Sequence, residues 1–549
     1  MTTLGLLIPE IIQRVLDSSR ETGSIKALVI GTLTITVVFL GRELCNCFRI
    51  RVNNTLEQKV LIDIRRDLHK KLLKLPISFF DKKKSGDIAS RVIEDVTNVE
   101  RVILDGTEQG TIAILTILGI TGLMFVKEPI LATFVFLPLP ILIVLGKIYG
   151  KLVSYYWKRV RDTSGELSNI LIEDIQGNRL IHSFALRMRE EKRFLEKSED
   201  LQKKTLEAMF RWSIYSPGTT FVTNLGVVAV IGVGGYLLIE SPETFSFGEF
   251  SAFLIYTSMF YEPIRTLNGL NHMINTGKAS GERVFEILDY PIDIQSPKNP
   301  QPFPSGIVTI SFKKVKFGYE NRDKIIPELN LTLPAGKMTA LVGHTGAGKS
   351  TIANLLLRYY DVISGDILIN TTPIDQLELE ELRSQIGIVS QDPFLFDTDL
   401  RENMKIAKYD ANDEEIWNAL KMASIDTFVK ELPDQLDTMI GEKGIRLSMG
   451  EKQRITIARV LLKDPPIVIL DEATSAVDTL TERKIQQGLN RLMKNRTVLV
   501  IAHRLSTVKN ANKIVVLNKG EIIETGNHQE LLKKEKSHYA SLWNQQVHI

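Results

Sequence analysis

The 549-residue sequence predicts a two-part membrane protein: an all-α transmembrane domain over residues 1–289, a linker over 290–306, and an α/β P-loop domain over 307–549. Two observations predict it. Long apolar runs alternate with basic segments through the first half, as in a chain that crosses a bilayer repeatedly. From about Gly306 the pattern becomes that of a water-soluble α/β protein, with a glycine-rich loop set between a strand pattern and a helix pattern. A chain of this length exceeds what one compact core can organise. The net charge of +3 excludes little, because the charge is segregated along the chain. Cys45 and Cys47, the only cysteines, both lie in an apolar run, which rules out a disulfide framework and a four-cysteine metal site. No cleavable signal peptide is evident, since Thr2 to Ile8 is short, lacks a basic start and leads into Pro9 and Glu10.

Apolar runs compatible with spans lie at Ala27 to Phe48, Gly110 to Val126, Pro129 to Tyr149, Pro217 to Ile239 and Phe247 to Ile264, the last weakened by Glu249. The stretches between them set the orientation. Arg49 to Arg101 holds thirteen basic residues and Lys147 to Arg211 fourteen, whereas the opposite side holds Arg20, Lys26 and Lys127, so both long segments are expected on the cytoplasmic side. Their helical patterning predicts helices that continue well beyond the bilayer. If Ala27 to Phe48 runs inward, something before it must already have crossed. MTTLGLLIPEIIQRVLD supplies only about 25 Å of helix and is interrupted by Glu10, Gln13 and Arg14, so it reads as the outer part of a first span whose start is expected upstream, a shortened first helix being the alternative. Pro138 and Pro140 are expected to bend the fourth span.

In the second half, KMTALVG reads as a strand that runs into GHTGAGKST and then a helix, which satisfies GxxxxGK[ST] in its required context. The residues are Gly343, His344, Thr345, Gly346, Ala347, Gly348, Lys349, Ser350 and Thr351. Glycines let backbone amides wrap a phosphate chain at a helix N-terminus, where the dipole favours an anion. Lys349 is then placed for the β and γ phosphates of ATP, and the Ser350 hydroxyl for Mg²⁺. Further on, the apolar run Ile467 to Leu470 ends in Asp471 and Glu472. Two acids at the end of a buried strand are costly without a metal or water to meet them. That pattern points to Asp471 beside Mg²⁺ and Glu472 as the group that polarises the attacking water.

With these residues the chain resembles the ATP-binding cassette (ABC) family. By that resemblance Tyr319 in KFGYE matches the aromatic that stacks on adenine, and Gln391 in VSQDPFLF the glutamine that approaches Mg²⁺. LSMGEKQR, with Leu447, Ser448, Gly450 and Glu451, matches the signature that touches the ATP of the partner subunit. Asp478 in SAVD matches the D-loop and His503 in VIAHRLST the switch histidine; the expected catalytic set is Glu472, His503 and Gln391. Local physics gives the signature a second reading, because Ser448 followed by Glu451 is also a helix capping box. Met449 and Glu451 depart from the usual LSGGQ.

The membrane half resembles the six-helix exporter type, with the first helix apparently truncated. Leu75 to Val96 and Glu173 to Phe194 look like its two intracellular loops, and Gly277 to Asp289 like the segment that joins the last span to the cassette. Phe79, Phe80 and Phe184 are candidates for contacts with the cassette, packing within their own loops being an equal alternative; Glu442 in TMIGEKG matches an exporter-specific acid. Arg42 and Glu43 in the second span could line a transport path, pair internally, or, for Arg42, snorkel towards the inner interface. The resemblance implies ATP-driven efflux or flipping of a hydrophobic or amphipathic lipid, drug or peptide. It also implies a second half-transporter as partner, as a homodimer or a heterodimer, with membrane lipid around it and no nucleic acid. In a bacterium that would place the chain in the inner membrane, with the cassette in the cytoplasm. A regulatory or channel-like subunit is the alternative.

Overall fold

The computed structural model describes residues 2–319, 322–441, 447–471, 479–502, 508–534 and 537–547. The chain divides into two compact units, one of Met1–Leu73 with Ser85–Tyr290, the other of Lys74–Lys84 with Pro291–Ile549. The short segment 74–84 therefore leaves the helical unit in the middle of a loop and belongs to the second one.

The first unit is built of long helices: α1 (Thr2–Thr22), α2 (Ile25–Leu72), then, after the short α3 (Ile77–Lys82) of the other unit, α4 (Ser85–Lys127), α5 (Pro129–Phe136), α6 (Leu139–Gln176), α7 (Arg187–Glu240) and α8 (Phe247–Leu288). Four segments, α2, α4, α5 with α6, and α7, are long and apolar enough to cross a membrane among the described residues. The run in α8, the weakest in the sequence, falls outside that criterion and holds Glu249 and Glu262. Glu249 has a local use, since it closes a capping box with Ser246 at the start of α8. On α2 the residues Ile30, Leu33, Val37, Leu40 and Leu44 form an exposed apolar stripe at helical spacing, the pattern of a face that meets lipid tails. Cys45 and Cys47 are exposed on the same helix. The expected bend at Pro138 is a break: helix ends at Phe136 and resumes at Leu139 with Pro140 in its first turn.

Residues 2–22 form one continuous helix despite Pro9. Its polar residues, read from sequence as interruptions, are partnered. Glu10 and Gln13 both accept from Lys127 at 2.5 Å and Arg14 pairs with Glu10 at 3.2 Å; further along the helix, Asp17 accepts from the Ser246 hydroxyl at 2.7 Å and the Gly248 amide at 2.9 Å. A carboxylate at the N-terminus of the 42-residue α8 meets both free amides and the positive end of the helix dipole. Close approach elsewhere depends on small residues: a Cβ on Gly226 would sit 2.1 Å from the Tyr261 hydroxyl, which donates to the Val135 carbonyl at 2.6 Å. Two π-helical turns, Arg91–Asp95 and Val102–Gly106, interrupt α4. Asp95, buried in the first of them, accepts from the Ser280 hydroxyl and the Arg283 guanidinium.

The second unit is two sheets with helices. Strands β1 (Ile310–Tyr319), β2 (Arg322–Leu333), β4 (Ser364–Ile369) and β5 (Thr372–Pro373) form an antiparallel sheet in the order β2-β1-β4-β5. Strands β3 (Met338–Val342), β6 (Ile386–Val389), β7 (Ile467–Asp471), β8 (Thr497–Ile501), β9 (Lys513–Asn518) and β10 (Glu521–Gly526) form the larger sheet, β10-β9-β3-β8-β7-β6, parallel except at β10. Because side chains alternate along a strand, Val468, Leu470, Val498 and Val500 enter one core while Ile467, Ile469, Leu499 and Ile501 enter the other. Burial on both faces explains why β7 and β8 are continuous apolar runs rather than alternating ones. The linker is laid along this unit: Gln301 donates its amide to Gln376 at 2.8 Å and Phe303 packs against the second core.

Candidate functional site

Strand β3 is wholly buried and fixed between β8 and β9, so the loop after it starts from a rigid support. At Gly343 the backbone takes φ +156°, and a Cβ would lie 2.3 Å from the Leu517 carbonyl oxygen, so only glycine fits. Gly346 and Gly348 take φ +83° and +98°; Gly348 caps helix α9 (Lys349–Leu356) in the left-handed region. The Gly520 amide donates to Ala347 at 3.1 Å and ties the loop to the β9–β10 turn. Lys349 is buried and its ammonium donates to the Gly343 and His344 carbonyls at 2.7 and 3.1 Å, which folds the cation over the loop. His344, Thr345, Gly346 and Ser350 are exposed along the rim, while Thr351 is buried. A concave run of amides at a helix N-terminus, with one cation above it, is a cradle that fits a polyphosphate.

The other expected residues gather at the same end of the parallel sheet. β7 ends at Asp471, in register with Ile501 of β8, next to β3 in the strand order, and Gln391 follows β6 by two residues. Ligands of open α/β sheets bind at the carboxyl ends of the strands, where the P-loop, Asp471 and Gln391 all lie. Glu472, Asp478 and His503, together with Glu442, lie outside the described residues.

Tyr319 closes β1. Its neighbour on the strand, Phe317, pairs with Ile326, whose side chain lies 3.9 Å from the position of a Cβ on Gly348. That register carries the tyrosine towards the phosphate loop. Its ring meets those of Phe317 and Tyr360 edge to face, with centroids 4.9 and 5.0 Å apart.

The signature stretch opens helix α10 (Met449–Lys463), and its capping reading is borne out. The Ser448 hydroxyl accepts from the Glu451 amide at 3.4 Å, and the Glu451 carboxylate accepts from the Ser448 amide at 2.7 Å. The capping box is formed and Glu451 is turned back onto its own helix start. Gly450 is buried, Leu447 packs against the core, and Ser448 and Met449 are exposed.

Two residues that sequence reading missed support the site. Arg459 in α10 donates to the Phe394 and Asn403 carbonyls, each at 2.7 Å, and so pins the stretch that follows Gln391 to the signature helix. Burial pushes its guanidinium down to about 10. A lone arginine inside TIARVLLK was the available signal. Tyr360 is the other: its phenol donates to the Asp81 carboxylate in α3. Nothing in sequence joins positions 279 apart. Of the three loop aromatics, Phe79 is buried and packs edge to face on the exposed Phe80, while Phe184 is exposed.

In the helical unit a cavity of about 290 Å³ is lined by Arg42, Arg49, Gln109, Thr116, Met259 and Glu262, among others. Arg49 pairs with Glu108; the closest carboxylate to Arg42 is Glu43, at 3.9 Å.

A helical membrane unit fused to a P-loop nucleotide-binding unit defines a membrane-embedded ATPase. Comparison with known proteins agrees: residues 2–264 match the family model of the ABC transporter transmembrane region and residues 326–475 that of the ABC transporter itself. The chain is 36% identical to an ATP-dependent lipid A-core flippase of Syntrophus aciditrophicus, over 92% of this chain and 84% of that one. It is 35% identical to an uncharacterized ABC transporter ATP-binding protein of Bacillus subtilis, over 97% and 88%. A solved bacterial Atm1-family ABC exporter with ATP bound superposes with a TM-score of 0.85 at 25% identity, over 99% of this chain and 96% of that one. The chain belongs to the ABC transporter family. It is an exporter-type half-transporter, an integral membrane protein whose ATPase is coupled to transport and which pairs with a second half.

Proposed function

We propose that two copies of this chain form the working exporter and that it moves an amphiphile with an acidic headgroup across the membrane. The cavity beside Arg42 carries the substrate class. Of the two guanidiniums in its wall, Arg49 is paired with Glu108, whereas Arg42 has only the long 3.9 Å contact with Glu43, so Arg42 is the cation open to an anionic ligand. The cavity's volume suits a headgroup rather than a whole lipid, and the exposed apolar helix faces are available to acyl chains. Relatives named lipid A-core flippases favour a lipid over a drug or peptide. The basic segments 49–101 and 147–211 support a cassette on the cytoplasmic side, which in a bacterium would be that of the inner membrane.

At the nucleotide end the cradle of Gly343 to Gly348 takes the phosphates of ATP, Lys349 moves from the loop carbonyls to the β and γ phosphates, and Tyr319 stacks on adenine. Ser350, Gln391 and Asp471 would hold Mg²⁺, which when bound offsets phosphate charge. Glu472 polarises water and His503 meets the γ-phosphate, while Ser448 and Gly450 serve the ATP held by Lys349 of the partner subunit.

The test reconstitutes the full chain in vesicles with fluorescent phosphatidylglycerol or phosphatidylcholine and follows ATP-dependent translocation, with Glu472→Gln as the non-hydrolysing control. The acidic lipid should move at least tenfold faster, Arg42→Gln should lose that preference, and Arg42→Lys should keep most of it. Equal movement of both lipids, or a preference unchanged in Arg42→Gln, refutes the acidic-headgroup reading.

A further inference from the structure

Tyr360 lies just beyond the C-terminus of α9, whose N-terminus is the phosphate loop. The turn that carries it is fixed on several sides. Arg358, in the left-handed region at φ +48°, is buried and pairs with Asp361 at 2.9 Å. Arg383 donates to the Leu357 and Arg358 carbonyls at 3.2 and 2.9 Å and lies over the Tyr359 ring. From this rigid position the Tyr360 ring meets Phe317 and Tyr319 with centroids 5.7 and 5.0 Å away, and its phenol donates to Asp81. Asp81 belongs to the segment 74–84, the part of the membrane-domain sequence that packs with the nucleotide-binding unit, where Leu75 and Phe79 are buried.

We propose that Tyr360 is a positioning residue that couples occupancy of the adenine side of the site to the segment 74–84, through ring contact with Tyr319 at one end and the Asp81 carboxylate at the other. The inference rests on the reading of Tyr319 as the adenine-stacking residue. A nucleotide that presses on Tyr319 presses on the edge of Tyr360, and α9 moves the same residue from the phosphate side. Aromatic rings transmit such a shift because they are close-packed and have few rotamers. The hydrogen bond delivers it to one atom of the loop segment. Burial and the adjacent Asp81 carboxylate both push the Tyr360 phenol up, so it remains a donor throughout the physiological range.

The experiment uses the full chain in lipid nanodiscs and two readouts that do not depend on turnover: the Kd for MgATPγS, and hydrogen exchange of residues 74–84 with and without saturating MgATPγS. Tyr360→Phe, which keeps the ring and loses the hydroxyl, should bind within twofold of wild type, while the nucleotide-induced change in exchange at 74–84 falls at least threefold. Asp81→Asn should reproduce this, and the double variant should add nothing to either single one. Tyr360→Leu should in addition raise Kd several-fold, as Tyr319 loses its edge contact. A wild-type exchange response in Tyr360→Phe at saturating nucleotide overturns the coupling. If Tyr319→Ala leaves Kd unchanged, the adenine reading itself fails, which separates the two failures.

Discussion

At Glu451 a single carboxylate decides between two accounts of the signature. Left free, it would place a negative charge beside the phosphate of the partner's nucleotide; held in the cap, it serves the start of α10. The 2.7 Å bond to the Ser448 amide shows the second arrangement. Glutamine can fill the same capping role through its carbonyl oxygen, so Glu451→Gln should change the ATPase rate by less than about twofold, since no free charge is being removed. Glu451→Ala should lower stability by about 1 kcal/mol through the lost cap. A tenfold rise in turnover for Glu451→Gln would show that the carboxylate does restrain phosphate binding. The spacing Ser-x-x-Glu announced this contact, because a cap is made of residues three apart. The bonds of Arg459 and Tyr360 had no such announcement, because their partners lie 56 to 279 positions away and are brought near only by the fold.

Single elements show where local pattern sufficed and where it did not. Strand β3, its glycine loop and α9 were legible because burial on two faces, positive-φ glycines and a helix start each leave a mark in sequence. The π-helical turns of α4 left none, and Glu10 and Gln13 of α1 read as interruptions because their partner, Lys127, lies on α4. The C-terminal helix α12 (His538–Val547), which follows α11 (His528–Lys533), was equally silent, yet its attachment yields a prediction. Glu524 accepts from the amides of His538 and Tyr539 at 3.0 and 3.1 Å and from the Ser537 hydroxyl at 3.0 Å, and Tyr539 bonds His528 at 2.7 Å. Burial works to raise the Glu524 carboxyl, but those three donors outweigh it and hold it below the usual range. Burial first, then Lys509, depresses His528. Both groups are lowered by folding, so the histidine term is complete above about pH 6.5 and the carboxylate term above about pH 4.3. Each is lost as pH falls through its own lower folded value, the histidine first. Amide exchange in residues 538–547, corrected for intrinsic rates, should therefore rise on acidification from pH 7 to 5. Glu524→Gln should raise it about tenfold at pH 7, as expected when a charge-assisted bond worth about 1.5 kcal/mol is weakened. No change in either case would remove Glu524 and His528 as the clamp.

Across the whole molecule, the two-unit plan was legible because membrane spans and an α/β sheet bury different amounts of apolar surface in different patterns. The proposed sharing of each ATP site between two subunits belongs to the dimer, and it yields the most demanding prediction. Lys349 and Ser448 are read as serving one nucleotide from two subunits. Consider dimers assembled from two differently tagged copies, with Lys349→Ala and Ser448→Arg either on the same subunit or on opposite ones. With both changes on one subunit, each site loses one partner and no intact site remains. With one change on each subunit, both lesions fall in the same site and the other site is whole. If subunits share sites, opposite placement should therefore keep ATP hydrolysis at up to half the wild-type rate per dimer, on the order of one working site out of two, and same-subunit placement should abolish it. Sites completed within one chain invert the result, so a dimer active only with both changes on one subunit would overturn the shared-site reading while leaving the P-loop itself intact.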